Sequence, residues 1–319
     1  MHVRATTEQA RIVLSAMLAV ASAGSEPTDA DRASIVAAAR YIFKLALPPD
    51  LAGLTPPKPD ELEALATKPD LATEAVRFAT VMAFVDGTLD NAKLAAVLKL
   101  AAGLGVEADF VHDIAEITQG RVQEATAHMI RANLESITGK SFSDKPWTTD
   151  KDAMAFFLPY KGANADPALA ARFRALADLP PGTFGHAFAV FYLSQKYAFP
   201  GEEAALNIKF AAPHDSSHLL AGYDTTPRGE LLVSTFTAAM HRKEAMSGHV
   251  LPVLFSWHLG IALNEVAGAA KGALDPQEFW HAWARGERMK VDLFGPEWDF
   301  WAATREPIES VRAHIGLTA

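Results

Sequence analysis

The stretch Pro213-His214-Asp215-Ser216-Ser217-His218-Leu219-Leu220-Ala221-Gly222-Tyr223-Asp224-Thr225-Thr226-Pro227-Arg228-Gly229-Glu230 carries two helix signals and four candidate metal ligands. His214 and His218 are four apart, so on a helix their rings stand on one face, one turn apart. Asp215 lies three before His218 and shares that face. Gly222 suits a left-handed C-cap position and stops the helix. Thr225 or Thr226 then caps a second helix, with Pro227 in its first turn. Glu230 falls in the first turn of that new helix. A short bend brings it back over the His-Asp-His face. Two imidazoles and two carboxylates then converge on one ion. Such nitrogen and oxygen donors suit zinc and tolerate iron or manganese. Each residue also has an ordinary explanation: a surface histidine, Asp215 as an N-cap, Glu230 as a partner of the helix dipole. The spacing, the glycine and the capped restart together favour the metal.

Outward from this stretch the chain reads as all-α. Ala, Leu, Glu and Lys recur with apolar spacing of three and four, and strand-like alternation of useful length is absent. Leu206–Ala211 is the best short strand candidate. With 319 residues the chain is long enough for two helical domains, expected at 1–140 and 150–319. The polar, turn-rich run from Thr138 to Pro146 marks the boundary. The run Ile12–Ala23 has no basic block fused to it, so it is expected to be a helix of the folded protein and not a signal peptide. Val250–Leu263 is apolar nearly all round but interrupted by Pro252, Trp257 and His258, and Glu265 follows closely. That is too short for a confident membrane span.

Composition narrows the function classes. A net charge of -9 lacks the basic footprint of a nucleic-acid binder and gives no attraction to anionic lipid. The chain has no cysteine, so disulfides, thiolate metal sites and a Cys nucleophile are all excluded.

Two stretches in the first half are alike. Ala19–Gly24, Thr28–Asp31 and Arg32–Phe43 form one helix–loop–helix unit. Ala83–Gly87, Leu89-Asp90 and Ala92–Gly103 form the other. A Pro-rich connection from Pro48 to Pro59 separates them. The pattern, and above all Ala83-Phe84-Val85-Asp86-Gly87-Thr88-Leu89-Asp90, resembles the TerB-like tellurite-resistance helical domain over roughly residues 8–135. That resemblance implies acidic loop residues gathered round a cation, here Asp86 and Asp90 with Asp29 and Asp31. The simpler expectation is that Asp29 and Asp90 cap helices.

The His-Asp-x-x-His stretch, eleven residues, then Glu resembles the signature of the coenzyme Q biosynthesis protein 4 family. Leu179-Pro180-Pro181-Gly182-Thr183-Phe184-Gly185, Ala284-Arg285-Gly286 and Pro307–Leu317 resemble its flanking segments, so the likeness spans about 170–319. The resemblance implies that His214, Asp215, His218 and Glu230 bind a divalent ion, most often taken as zinc. It implies an all-helical domain with a groove for a prenylated quinone precursor or other isoprenoid lipid. It further implies removal of the ring C1 carboxylate with hydroxylation there, alongside organisation of other biosynthetic enzymes. Ser216-Ser217 replaces a bulkier pair and is expected to widen the space beside the metal.

The resulting expectation is a metal-dependent, bacterial-type cytoplasmic protein, with peripheral contact at the inner membrane and a homo-oligomer both compatible. Val250–Leu263 would form one wall of an isoprenoid tunnel, or plain core. Phe279, Trp280, Trp283, Phe294, Trp298, Phe300 and Trp301 are expected to pack, with membrane contact as the sharper alternative. His241, His249 and His258 are candidates for approach to the site, and Arg228 for a substrate carboxylate or the surface. The rivals are a non-catalytic lipid-binding scaffold with a structural metal, and a metal-dependent phosphohydrolase suggested by the His214-Asp215 doublet.

Overall fold

The computed structural model describes residues 5–140, 155–263 and 268–317. Met1–Arg4, most of the expected boundary segment and Glu265 lie outside the described residues. The fold is all-α, as the spacing predicts. Among the described residues the only extended pairings are two isolated bridges, Thr183 with Pro307 and Leu259 with Lys271.

The first segment holds α1 (Thr7–Ala21), α2 (Asp29–Tyr41), α3 (Pro59–Ala66), α4 (Pro69–Met82), α5 (Asn91–Leu104), α6 (Asp109–Thr118) and α7 (Val122–Thr138). α1 is buried along its whole length from Ile12 to Ala21 apart from Ala19, a core helix. Both helix–loop–helix units are present, as α1–α2 and α4–α5, and their loops meet. There the expected cation cluster takes a different form. The Lys93 ammonium lies 2.9 Å from Asp31 and 2.7 Å from Asp86, with Lys93 and Asp31 fully buried. A lysine side chain thus supplies the positive charge between the two carboxylates. Asp90 caps α5 by accepting from the Ala92 N–H at 2.7 Å. Asp29 is exposed in the first turn of α2, and the cap there is Thr28, in a capping box with Asp31.

The second segment holds α8 (Pro167–Arg174), α9 (Phe184–Gln195), α10 (Ile208–Ala221), α11 (Pro227–His241), α12 (Pro276–Glu287), α13 (Phe300–Ala303) and α14 (Ile308–Ile315). Between α11 and α12 the chain winds through Ala245–Val250 and Leu254–His258 as π-helix, with the α-turn Leu251–Val253 between them. The strand candidate Leu206–Ala211 is instead the start of α10. Asn207 caps it by accepting from the Lys209 N–H at 2.9 Å, a local bond that a strand could not use.

One apolar core runs through both segments. α12 packs on α2, and the Trp280 indole donates to Ser34 Oγ at 2.8 Å. Phe78 of α4 meets Trp280 edge-on at 4.6 Å, and Phe84 meets Phe255 at 5.7 Å. Asn133 of α7 donates to the Gly248 carbonyl at 2.7 Å. The two segments are thus packed against each other. Phe279, Trp280, Trp283 and Phe300 are buried, so this aromatic cluster is core. Trp301 is covered by the Arg172 guanidinium, 3.6 Å from its ring centre. Among the described residues the exposed large apolar ones are Leu89 in the first segment and Val190, Leu193 and Tyr197 on and just after α9. No helix among the described residues is long and apolar enough to cross a membrane.

Candidate metal centre

The local sequence folds α10 and α11 into a tight hairpin. Pro213 sits inside α10, and the buried hydroxyls of Ser216 and Ser217 bond back to the Ala212 and Pro213 carbonyls. Gly222 ends the helix at φ +77°, and its N–H returns to the His218 carbonyl at 2.8 Å. The last α10 carbonyls are held by arginines from the C-terminal end. Arg312 donates to Leu219 and Leu220 at 3.1 and 3.0 Å, and Arg285 to Ala221 at 2.9 Å. Guanidinium groups at a helix C-terminus satisfy free carbonyls and complement the dipole. Thr226 caps α11 through the Gly229 N–H at 3.2 Å. A Cβ at position 229 would stand 2.0 Å from the Asp224 carbonyl, so only glycine lets the turn close this tightly. That closure sets Glu230 over the histidines.

His214, His218 and Glu230 come together, with one donor atom from each within 4.8 Å of the others. The two Nε2 atoms are 3.2 Å apart. Each Glu230 oxygen faces one ring, at 3.5 Å from His214 Nε2 and 3.5 Å from His218 Nε2. His218 Nδ1 lies 3.1 Å from the Tyr223 carbonyl and must donate to it, which leaves Nε2 as the lone-pair nitrogen of a neutral ring. Aromatic rings hold both imidazoles in place. Phe210 stacks on His214 at 4.8 Å and Phe191 on His218 at 6.2 Å.

Two imidazole nitrogens and a carboxylate converging at these distances need positive charge between them, either a proton or a metal ion. Burial alone would raise the Glu230 carboxyl, but His214 and His218 overcome it and hold it well below the usual carboxylate range. Burial opposes a charge on His218, and Glu230 outweighs it to raise the imidazole. The donor set fits zinc: two imidazole nitrogens on a tetrahedral ion stand about 3.4 Å apart, close to the spacing here. His214, His218 and Glu230 would hold such an ion.

Asp215 falls outside this trio. It is buried, and one of its oxygens accepts a hydrogen bond from the Tyr192 hydroxyl. Burial raises the Asp215 carboxyl despite the two nearby imidazoles and the Tyr192 bond. Burial, then the Asp215 charge, pushes the Tyr192 phenol well above its ordinary value. The sequence places four ligands on one centre. α10 and α11 together bring three to it, and α10 turns Asp215 toward α9, because Asp215 is only one position from His214 and its side chain projects to the side.

His214 and Glu230 of the trio line a cavity of about 570 Å³. His214, Asp215 and Glu230 line one part of it. Pro252, Val253, Ser256, Trp257 and Leu263 form a wall, while Val250, Leu251, Leu254 and Phe255 point into the core. The Val250–Leu263 segment is therefore tunnel wall on one side and core on the other. Ser216 and Ser217 do not line the cavity, since their hydroxyls are spent on the backbone of α10. Met129, Ile130 and Asn133 of α7 close it from the first segment. That contribution has no signal in the sequence, because α7 reads as an ordinary amphipathic helix.

The remaining candidates separate clearly. His241 pairs with Asp292 at 2.7 Å and with the Ser136 carbonyl at 2.9 Å, away from the trio. His258 is tied to the Val85 carbonyl at 3.2 Å and to the Leu274 N–H at 3.2 Å, a structural role. His249 lines the cavity. Arg228 pairs with Glu278 at the surface.

Fold and site together define an all-helical protein with a two-histidine, one-glutamate centre at the edge of a largely apolar cavity. No family model, curated protein or solved structure matches the chain.

Proposed function

We propose that the chain is a metal-dependent protein that binds a hydrophobic ring compound of the prenylquinone-precursor kind and acts on the ring, as the likeness to the coenzyme Q biosynthesis protein 4 family suggests. The observation that carries this reading is that His214 and Glu230 of the His214–His218–Glu230 trio line an apolar-walled cavity. Its volume lies in the range of about 300–1,000 Å³ common to small-molecule sites. Three protein donors leave a coordination position free, the arrangement of catalytic rather than structural zinc. A bound zinc, iron or manganese ion would supply Lewis acidity toward a ring carboxylate or oxygen donor. Glu230 and the two imidazoles fix the place of that charge. Phe210 and Phe191 keep the rings from turning, and Trp257 and Val253 exclude water from the apolar end. The non-catalytic scaffold reading requires a fourth protein ligand instead.

Peripheral contact at the cytoplasmic face of an inner membrane would be made through Val190, Leu193 and Tyr197, since Tyr197 both is exposed and lines the cavity.

Mass spectrometry of lipid extracted from the purified protein tests the reading. A ring compound with an isoprenoid tail is expected to accompany the wild type and to be lost in Val253→Trp, which fills the cavity. Equal lipid content in both, or no isoprenoid in the wild type, would overturn it.

A further inference from the structure

Several buried hydroxyls on the described helices bond back to their own helix. Thr80, Ser216, Ser217 and Thr235 each donate to the carbonyl four residues back, at up to 2.9 Å. Such back-bonding is the ordinary way for a buried Ser or Thr to satisfy itself in a helix. Thr237 and Ser256 have no such bond. Both are 2% exposed, and neither hydroxyl has a hydrogen-bond partner. Both line the cavity. A buried polar group left without a partner destabilises a fold, so such groups in a ligand cavity point to a partner that the protein alone does not supply.

The two hydroxyls come from two different elements that line the cavity. On α11 the cavity is lined by Glu230, Ser234 and Thr237, successive positions of one helix face. Thr237 is therefore about 10 Å along the axis from Glu230. On the π-helical wall, His249, Pro252, Val253, Ser256 and Trp257 share the cavity face. His249 adds a third group. The Ser136 hydroxyl donates to the Asn133 carbonyl at 2.7 Å, so it accepts from His249 Nε2 at 3.2 Å. That assigns the ring hydrogen to Nε2 and leaves Nδ1 an acceptor. Burial foremost, then the charges of His241 and His214, lowers His249 to about 3, in keeping with a neutral ring.

We propose that Thr237, Ser256 and His249 form a second, uncharged subsite that binds a hydroxyl group of the ligand, away from the metal trio. The inference rests on the cavity being a ligand site, as argued above, but not on the metal. His249 accepts the ligand hydroxyl hydrogen, and Thr237 and Ser256 donate to its oxygen. An anion is disfavoured, because none of the three brings positive charge. The ligand class is thus a neutral phenol or alcohol on an otherwise apolar body.

The test uses full-length protein dialysed against EDTA, titrated calorimetrically with 4-pentylphenol and with its methyl ether, 4-pentylanisole. The phenol is expected to bind about tenfold or more tighter than the ether, since only it can give a hydrogen to His249. Thr237→Val and Ser256→Ala should each reduce that preference about threefold or more, and Thr237→Ser should keep it. Thr237→Val should leave Tm unchanged or higher, because it removes an unsatisfied hydroxyl at nearly constant shape. Equal affinity for phenol and ether, a preference untouched in both variants, or a lowered Tm in Thr237→Val would each overturn the proposal. Metal removal beforehand separates this outcome from failure of the metal reading, which is tested by loading.

Discussion

The Nε2 atoms of His214 and His218 lie 3.2 Å apart, and the Glu230 carboxylate faces both rings at 3.5 Å. Because His218 Nδ1 is engaged by the Tyr223 carbonyl, the charge between the rings has to come from outside their ordinary hydrogen bonds. Asp215, by contrast, is turned to Tyr192. Asp215→Asn is therefore expected to keep stoichiometric metal, with affinity lowered by no more than about 10–100-fold, the usual scale for a group outside the ligand set. Competition against a chromogenic chelator measures it. Complete loss of metal in Asp215→Asn would make Asp215 a ligand after all.

Lys93 replaces the cation expected between the acidic loops, and it is buried with Asp31. Lys93→Ala leaves that carboxylate uncompensated, so it should lower stability by about 3–5 kcal/mol. Chemical denaturation of the two proteins gives the difference. A loss below about 1 kcal/mol, the scale of an exposed pair, would show that the charges are solvated.

His128 has a raised imidazole, because Asp113 beside it at 2.6 Å accepts its hydrogen bond and outweighs burial. A raised folded value means that the contribution is full below the unfolded value of about 6.5 and is lost as pH rises through the folded one. The Tm difference between wild type and His128→Asn should be largest near pH 5.5 and shrink toward pH 9. A difference that grows with pH would contradict the assignment.

Both segments share one core, joined by Trp280 with Ser34 and by Phe78 with Trp280 and Trp283. Calorimetry is expected to show a single cooperative transition. Trp280→Ala should cost about 3–5 kcal/mol and lower that one transition as a whole. Two resolved transitions, with only one displaced by the variant, would show two independent domains.

Much of the site was readable because its signals are local. Gly222, Thr226, Pro227 and the four-residue His spacing determine a stop, a cap and a face, and each acts within a turn or two. Asp90 as a cap was readable for the same reason. What the sequence hid depends on distant partners. Lys93 meets Asp31 from 62 positions away, and α7 closes the cavity from about a hundred positions before the ligands. Asp215 sits correctly for the motif, yet a hydroxyl from α9, 23 positions earlier, takes its oxygen. The aromatic residues near the C-terminus could pack or adsorb to lipid by composition alone; α2 and Phe78 of α4 cover Trp280 and Trp283, and Phe173, Phe184 and Phe188 cover Phe300.

Metal content bears most directly on the central claim. Wild type, His218→Ala and Glu230→Ala are purified without chelator, loaded with zinc, desalted and measured by inductively coupled plasma mass spectrometry. About one zinc per wild-type chain is expected, and essentially none in either variant, with the helical circular dichroism of all three alike. Equal zinc in the wild type and both folded variants, or none in any of them, would contradict a metal centre at His214, His218 and Glu230.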